Sequence, residues 1–215
     1  MHHALERGIE TLKTANPDLH IPDLKVLLLL GDPTNRHFME EVKGLSAFGG
    51  ISGYIVISVW PTIDVLNRLE AIVVHELHHN VRYSPGGVVW DPVTVTVGEH
   101  VVAEGLADVF ATELYGSHGY THFVDDQTRN DDSVLAKVLQ VTGMQDFAAW
   151  VLGDKTAQLF GAEPVGLPTG AGYAAGVRLV SEYLHLHGGT AASNVHTPVE
   201  TVLSDVLPRL GLGDE

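Results

Sequence analysis

The stretch Ala71-Ile-Val-Val-His75-Glu76-Leu-His-His79-Asn-Val-Arg82 constrains this chain more than any other, because it asks one largely apolar helix to carry three histidines and a glutamate. Leu69, Ile72, Val73, Val74, Leu77 and Val81 surround those polar residues, so the helix is expected to be buried around most of its circumference. Imidazoles and a carboxylate are costly to bury unless they pair with one another or hold a cation. His75 and His79 stand one turn apart on one face. Two imidazoles so placed can share one Zn²⁺ at ~2.0–2.1 Å. Glu76 leaves the helix about 100° round from His75, where a carboxylate can take a proton from a metal-activated water without binding the metal. A His-rich exposed helix face is the competing reading, and the apolar flanks argue against it.

The 215 residues suit one domain, which we expect to comprise an N-terminal α/β lobe over about residues 1–83 and a helical lobe over about 84–215. The chain has no cysteine, so disulfides and thiolate ligands are excluded and any zinc must be held by His, Glu or Asp. No apolar run approaches the ~18 residues of a membrane span, and Met-His-His-Ala-Leu-Glu-Arg lacks a signal-peptide layout. A cytoplasmic protein with no membrane partner is expected. A net charge of −15 repels phosphate backbones, which argues against nucleic acid as a partner.

Along the chain, Leu5, Ile9 and Leu12 mark a helix over Ala4–Ala15. Leu24–Leu30 reads as a buried strand. The glycine-rich stretch from Gly44 to Gly53 lacks the G-K-[ST] ending of a phosphate loop and reads as a flexible turn region before the next strand. Tyr54–Val59 is the clearest strand by its β-branched content. Trp60-Pro61 stops it, and Thr62 or Asp64 can cap the helix that follows to about Tyr83. A helix is expected from about Val95 to Tyr115, stopped by Gly116, and then a polar loop over Ser117–Asp132. Short helices over Val134–Val141 and Gln145–Leu152, a loop over Phe160–Gly170, a helix over Gly172–His187 and a last one over Pro198–Leu207 complete the pattern. The tail beyond Gly211 is expected to fray. The fold class is α+β, with a small N-terminal sheet of about three strands packed on a mostly helical C-terminal half and the cleft between them.

A catalytic zinc takes three protein ligands and leaves one position open. The best third candidate is Glu104, in Val102-Ala-Glu104-Gly-Leu-Ala-Asp108. Asp108 lies one turn further on the same face, where it can accept the second N–H of a ligand histidine. Gly105 costs about 1 kcal/mol in mid-helix, which a close approach to the H-E-x-x-H helix would explain.

H-E-x-x-H followed by E-x-x-x-D on a second helix is similar to the gluzincin metallopeptidases. His-Glu-Leu-His-His-Asn-Val-Arg, Glu-Gly-Leu-Ala-Asp and the later Ala-Gly-Tyr-Ala-Ala-Gly resemble more specifically the YjaZ-type predicted zinc-dependent proteases, a domain-of-unknown-function family. The match covers most of residues 45–205. The resemblance implies a zincin-like fold, one catalytic Zn²⁺ on His75, His79 and Glu104, Glu76 as general base, and Arg82 and Asp108 as supports of the ligands. His78 could also reach a metal, since it pairs with His75 at i, i+3.

The reaction so implied is hydrolysis of a peptide or protein substrate. Gluzincins commonly use a later Tyr or His to donate to the oxyanion. Tyr173 is the first choice here, a packing role being its alternative. His185 and His187 lie further along that helix and read as surface residues, and Arg178 reads as the partner of an acidic neighbour. Tyr54–Val59 is either the sheet edge beside the cleft, open to strand addition by an extended peptide, or an ordinary buried strand. His100, His118 and His122 read as solvated loop histidines, with a second metal site as the alternative. Two further readings of the whole are a zinc-stabilised regulatory or chaperone-like module without turnover, and an iron site on the same two-His, one-carboxylate set.

Overall fold

The computed structural model describes residues 1–211. The frayed tail expected beyond Gly211 lies outside the described residues. The elements follow as α1 (His2–Ala15), β1 (Lys25–Leu30), β2 (Leu45–Ile51), β3 (Tyr54–Val59), α2 (Ile63–Arg82), α3 (Val97–Tyr115), α4 (Asp126–Arg129), α5 (Asp132–Leu139), α6 (Asp154–Leu159), α7 (Ala171–His187) and α8 (Val199–Val206), with one-turn helices at His37–Glu41, Gly116–Gly119, Ala148–Leu152 and Leu207–Leu210. The protein is therefore mixed α+β with a small three-stranded sheet near its N-terminus. No helix among the described residues is long and apolar enough to cross a membrane.

Contacts divide the chain into two units. The first comprises Met1–Val89, Ala107–Phe123 and Thr190–His196; the second comprises Trp90–Leu106, Val124–Gly189 and, of the described residues, 197–211.

In the first unit the sheet order is β1-β3-β2, with β1 parallel and β2 antiparallel to β3. Three expectations change here. Tyr54–Val59 is the central strand, so the edge reading of it falls. The Gly44–Gly53 region is not a flexible turn, because Leu45–Ile51 is an edge strand. Leu24–Leu30 does form a strand but not a buried one: Leu27 is 53% and Leu30 73% exposed. A run of leucines satisfies the pattern of a two-sided core strand, yet β1 sits at the sheet edge and its leucines stay exposed among the described residues. Ile55, Ile57 and Val59 point inward and are buried. The helix that covers them is α2, from the N-terminal half of the chain. Gly8 on α1 lets that helix close on α2, since a Cβ there would meet Leu77 at 2.7 Å. The buried stripe of α1 is accordingly Ala4, Gly8 and Leu12.

Asn80 ties the hairpin to α2. Its amide nitrogen donates to the carbonyls of Gly49 (3.0 Å), Ile51 (2.8 Å) and Tyr54 (2.8 Å), and its Oδ1 accepts from Gly53 N at 2.8 Å. At Gly49 the strand lies directly on the helix: a Cβ would stand 2.3 Å from the Glu76 carbonyl oxygen.

In the second unit α3 begins with a reciprocal cap. Glu99 N donates to Thr96 Oγ1 at 3.2 Å while Thr96 N donates to Glu99 Oε2 at 2.7 Å. Gly105 and Gly176 face each other where α3 meets α7, each without room for a Cβ: one at Gly105 would lie 2.3 Å from Gly176 O. The expected approach of Gly105 to the H-E-x-x-H helix is thus corrected. The partner of Gly105 is Gly176 on α7. The Gln145–Leu152 helix shrinks to one turn at Ala148–Leu152, and α6, which has few apolar residues to mark it, was not expected.

Candidate metal centre

Thr62 starts α2, its Oγ1 accepting from Val65 N at 3.2 Å. From Val73 to Arg82 every residue of this helix is buried. That makes the destination of each polar atom a physical question.

His75 Nδ1 donates to Asp108 Oδ1 at 2.9 Å, with both side chains buried. This bond places the proton on Nδ1 and leaves Nε2 with its lone pair. His75 Nε2 and His79 Nε2 then face one another at 3.1 Å. Glu104, half-buried on α3, completes the group: one ligand atom from each of His75, His79 and Glu104 lies within 4.8 Å of the others. Two imidazole nitrogens 3.1 Å apart are within the span of one ion bound at ~2.0–2.1 Å from each. Together with a carboxylate, the donor set fits a zinc site that keeps one position open. It is the only such group of three among the described residues, so no second metal site forms at His100, His118 and His122. Glu76 is 5% exposed, beside the ligands in sequence but outside the cluster.

Asp108 also holds the segment after α3. Its Oδ2 accepts from Thr121 N (3.2 Å) and its Oδ1 from Thr121 Oγ1 (2.8 Å). Thr121, in the polar region expected as a loop over Ser117–Asp132, is therefore held by the same carboxylate that orients His75, and that region is in part helical, at Gly116–Gly119 and α4. His122 within it is largely buried and donates from Nε2 to Val42 O at 2.7 Å. Burial, partly opposed by that bond, pushes its pKa down to about 4. His118 is exposed, and His100 stacks on Phe147 with ring centroids 4.9 Å apart.

His78 is not brought into the cluster. It is fully buried and donates from Nε2 to Ala191 O at 3.3 Å. Burial, then the neighbouring His79 and Arg82, holds its pKa well below the ordinary value. Arg82, also buried, donates from Nη1 to Val195 O at 2.8 Å. Both residues thereby anchor the returning segment Thr190–His196 against α2. His196 answers with a bond to Val81 O at 2.9 Å. Tyr173 is half-buried in the first turn of α7. Arg178 pairs with Asp132 at 3.0 Å, and His187 with Asp205 at 2.9 Å, both at the surface.

A family model described as "Predicted Zn-dependent protease (DUF2268)" matches residues 3–204. The chain belongs to this family. The family match therefore spans nearly all of the described chain, including both helices of the cluster. Within the curated proteins the chain is 33% identical over 186 residues to a Bacillus subtilis (strain 168) relative called "Uncharacterized protein YjfC", an alignment covering 85% of this chain. The chain spans 60% of that relative's length. No solved structure matches.

Sequence reasoning missed Asn80, Thr121 and the Thr190–His196 segment. Asn80 left one signal: asparagine is a poor helix former, and mid-helix in an apolar stretch it needs a bonding reason. The others depend on residues distant in sequence and left none.

Proposed function

We propose that the protein is a gluzincin-type zinc peptidase, with one Zn²⁺ held by His75, His79 and Glu104. The convergence of those three donors beside an intact Glu76 is the observation that carries the reading. A purely structural zinc site closes its fourth position with a protein ligand and has no use for a carboxylate next to the first histidine. The bound ion would supply a Lewis acid for the scissile carbonyl and acidity for water at neutral pH. The protein's part is to hold and move protons. Glu76 accepts one from the attacking water and returns it to the leaving amine. Asp108 keeps His75 in the tautomer that turns Nε2 to the ion.

The substrate is a peptide or protein segment. Strand addition belongs at β2 in this reading, since β2 is an edge strand and Gly49 lies on the Glu76 carbonyl. The oxyanion donor is assigned to Tyr173.

Purified protein is expected to contain one zinc and to cut an unselected peptide library. Glu76→Gln should lower turnover by about 10²–10⁴-fold with zinc retained, and Tyr173→Phe should lower kcat more than it raises KM. A zinc-loaded wild type that leaves the library intact would favour the alternative, a zinc-binding regulatory or chaperone-like module.

A further inference from the structure

We propose that the pocket along the face of α2 N-terminal to His75 is a carboxylate-recognition subsite, with Arg68 as the residue that selects an acidic substrate group. The proposal rests on the peptidase reading above and adds a specificity to it.

The pocket is bounded by Arg68, Ile72, His75, His118, Tyr120 and His122 and is a small cleft partly open to solvent. Arg68, Ile72 and His75 recur along one face of α2. Arg68 and His75 are about 10 Å apart along the axis, so a group bound at Arg68 belongs to a residue within about two positions of the cut bond.

Arg68 Nη1 is buried and has no hydrogen-bond partner among the described residues. A guanidinium cannot shed its proton, so a buried, unpartnered Nη is a charge that a ligand can satisfy. The chain carries 27 acidic residues against 12 basic ones, yet among the described residues none pairs with this Nη1. Asp108 also lines the pocket, but its oxygens are already engaged by His75 Nδ1, Thr121 N and Thr121 Oγ1. Leu45, Ala71 and Ile72 supply an apolar wall for a methylene stem. An apolar wall ending at a guanidinium suits an aspartate or glutamate side chain, or a peptide's terminal carboxylate.

The test compares zinc-loaded wild type and Arg68→Gln on paired peptides carrying Glu or Gln, and Asp or Asn, at the positions flanking the cut, each as free acid and as C-terminal amide. Wild type is expected to prefer the acidic member by about 10- to 100-fold in kcat/KM, and Arg68→Gln to lose most of that ratio. A preference that follows the side chain assigns the pocket to an acidic residue, and one that follows the free acid assigns it to a chain terminus. Should Arg68→Gln not fold, Ile72→Glu, which sets a carboxylate one turn from Arg68, is expected to lower the same ratio. Binding of N-acetyl-glutamate amide against N-acetyl-glutamine amide to metal-free protein, followed by NMR, reads the pocket without turnover. Arg68-dependent binding of the acidic probe supports the subsite even if no peptide is cut. Equal binding of both probes, or cleavage with no acidic preference, overturns the subsite and leaves the peptidase reading standing.

Discussion

At the scale of single residues, the buried polar atoms of α2 divide into two groups by what they touch. His78, Asn80 and Arg82 spend themselves on backbone carbonyls and so position the hairpin and the returning segment. His75 and His79 instead bring their Nε2 atoms to 3.1 Å of each other, where both can serve one ion. Asp108 is where the two concerns meet, because it both orients His75 and holds Thr121. Asp108→Asn is expected to weaken zinc affinity about 10- to 100-fold, measured by competition with a chromophoric chelator. His122 supplies a pH dependence. Its folded pKa of about 4 lies below the ordinary 6.5. The unfolded chain therefore binds a proton that the folded one refuses, so this residue's contribution is complete above pH ~6.5 and is lost as pH falls towards ~4. Urea melts across that range should show a smaller fall in stability for His122→Asn than for wild type, the difference being at most about 3 kcal/mol.

At the scale of elements, what matters is where backbones touch. β2 reaches α2 only because residue 49 is glycine, and the atom a side chain would strike is a carbonyl oxygen that cannot rotate away. Gly49→Ala is expected to cost about 1–3 kcal/mol or more, and to impair turnover, because it drives the strand off the helix at Glu76. The strands of the sheet differ sharply in what their apolar residues are worth. Leu29 on β1 is 42% exposed while Ile57 on β3 is fully buried. Leu29→Thr should change stability by no more than about 0.5 kcal/mol, and Ile57→Ala should cost about 2–5 kcal/mol, both read from denaturant midpoints.

At the scale of the whole molecule, ion binding and stability are linked. An ion that binds only the folded chain stabilises it by about 2.7 kcal/mol when present at ~100 times its dissociation constant. Adding zinc to chelator-treated protein is expected to raise the melting temperature. Glu104→Ala should remove most of that rise while changing the metal-free melt little, because Glu104 is only half-buried. A zinc-induced shift of equal size in Glu104→Ala would place the ion elsewhere.

Much of this was legible one element at a time. Thr62 and Trp60-Pro61 bracket the start of α2, the β-branched run 54–59 is a strand, and His75, His79, Glu104 and Asp108 fall on the two expected helices. Local hydrogen bonding repeats with a fixed period, so residues a few positions apart carry that information themselves. Which surfaces are then covered is another matter. Leucines at 27–30 do not reveal that their strand lies at an edge, nor does Gly105 reveal that its partner is Gly176. His78 looks like a site residue until Ala191 arrives from more than a hundred positions away. The chain's own pattern decides what each helix and strand can offer. Only the return of distant segments decides what each offer meets, because burial and polar pairing are properties of contacts and not of residues.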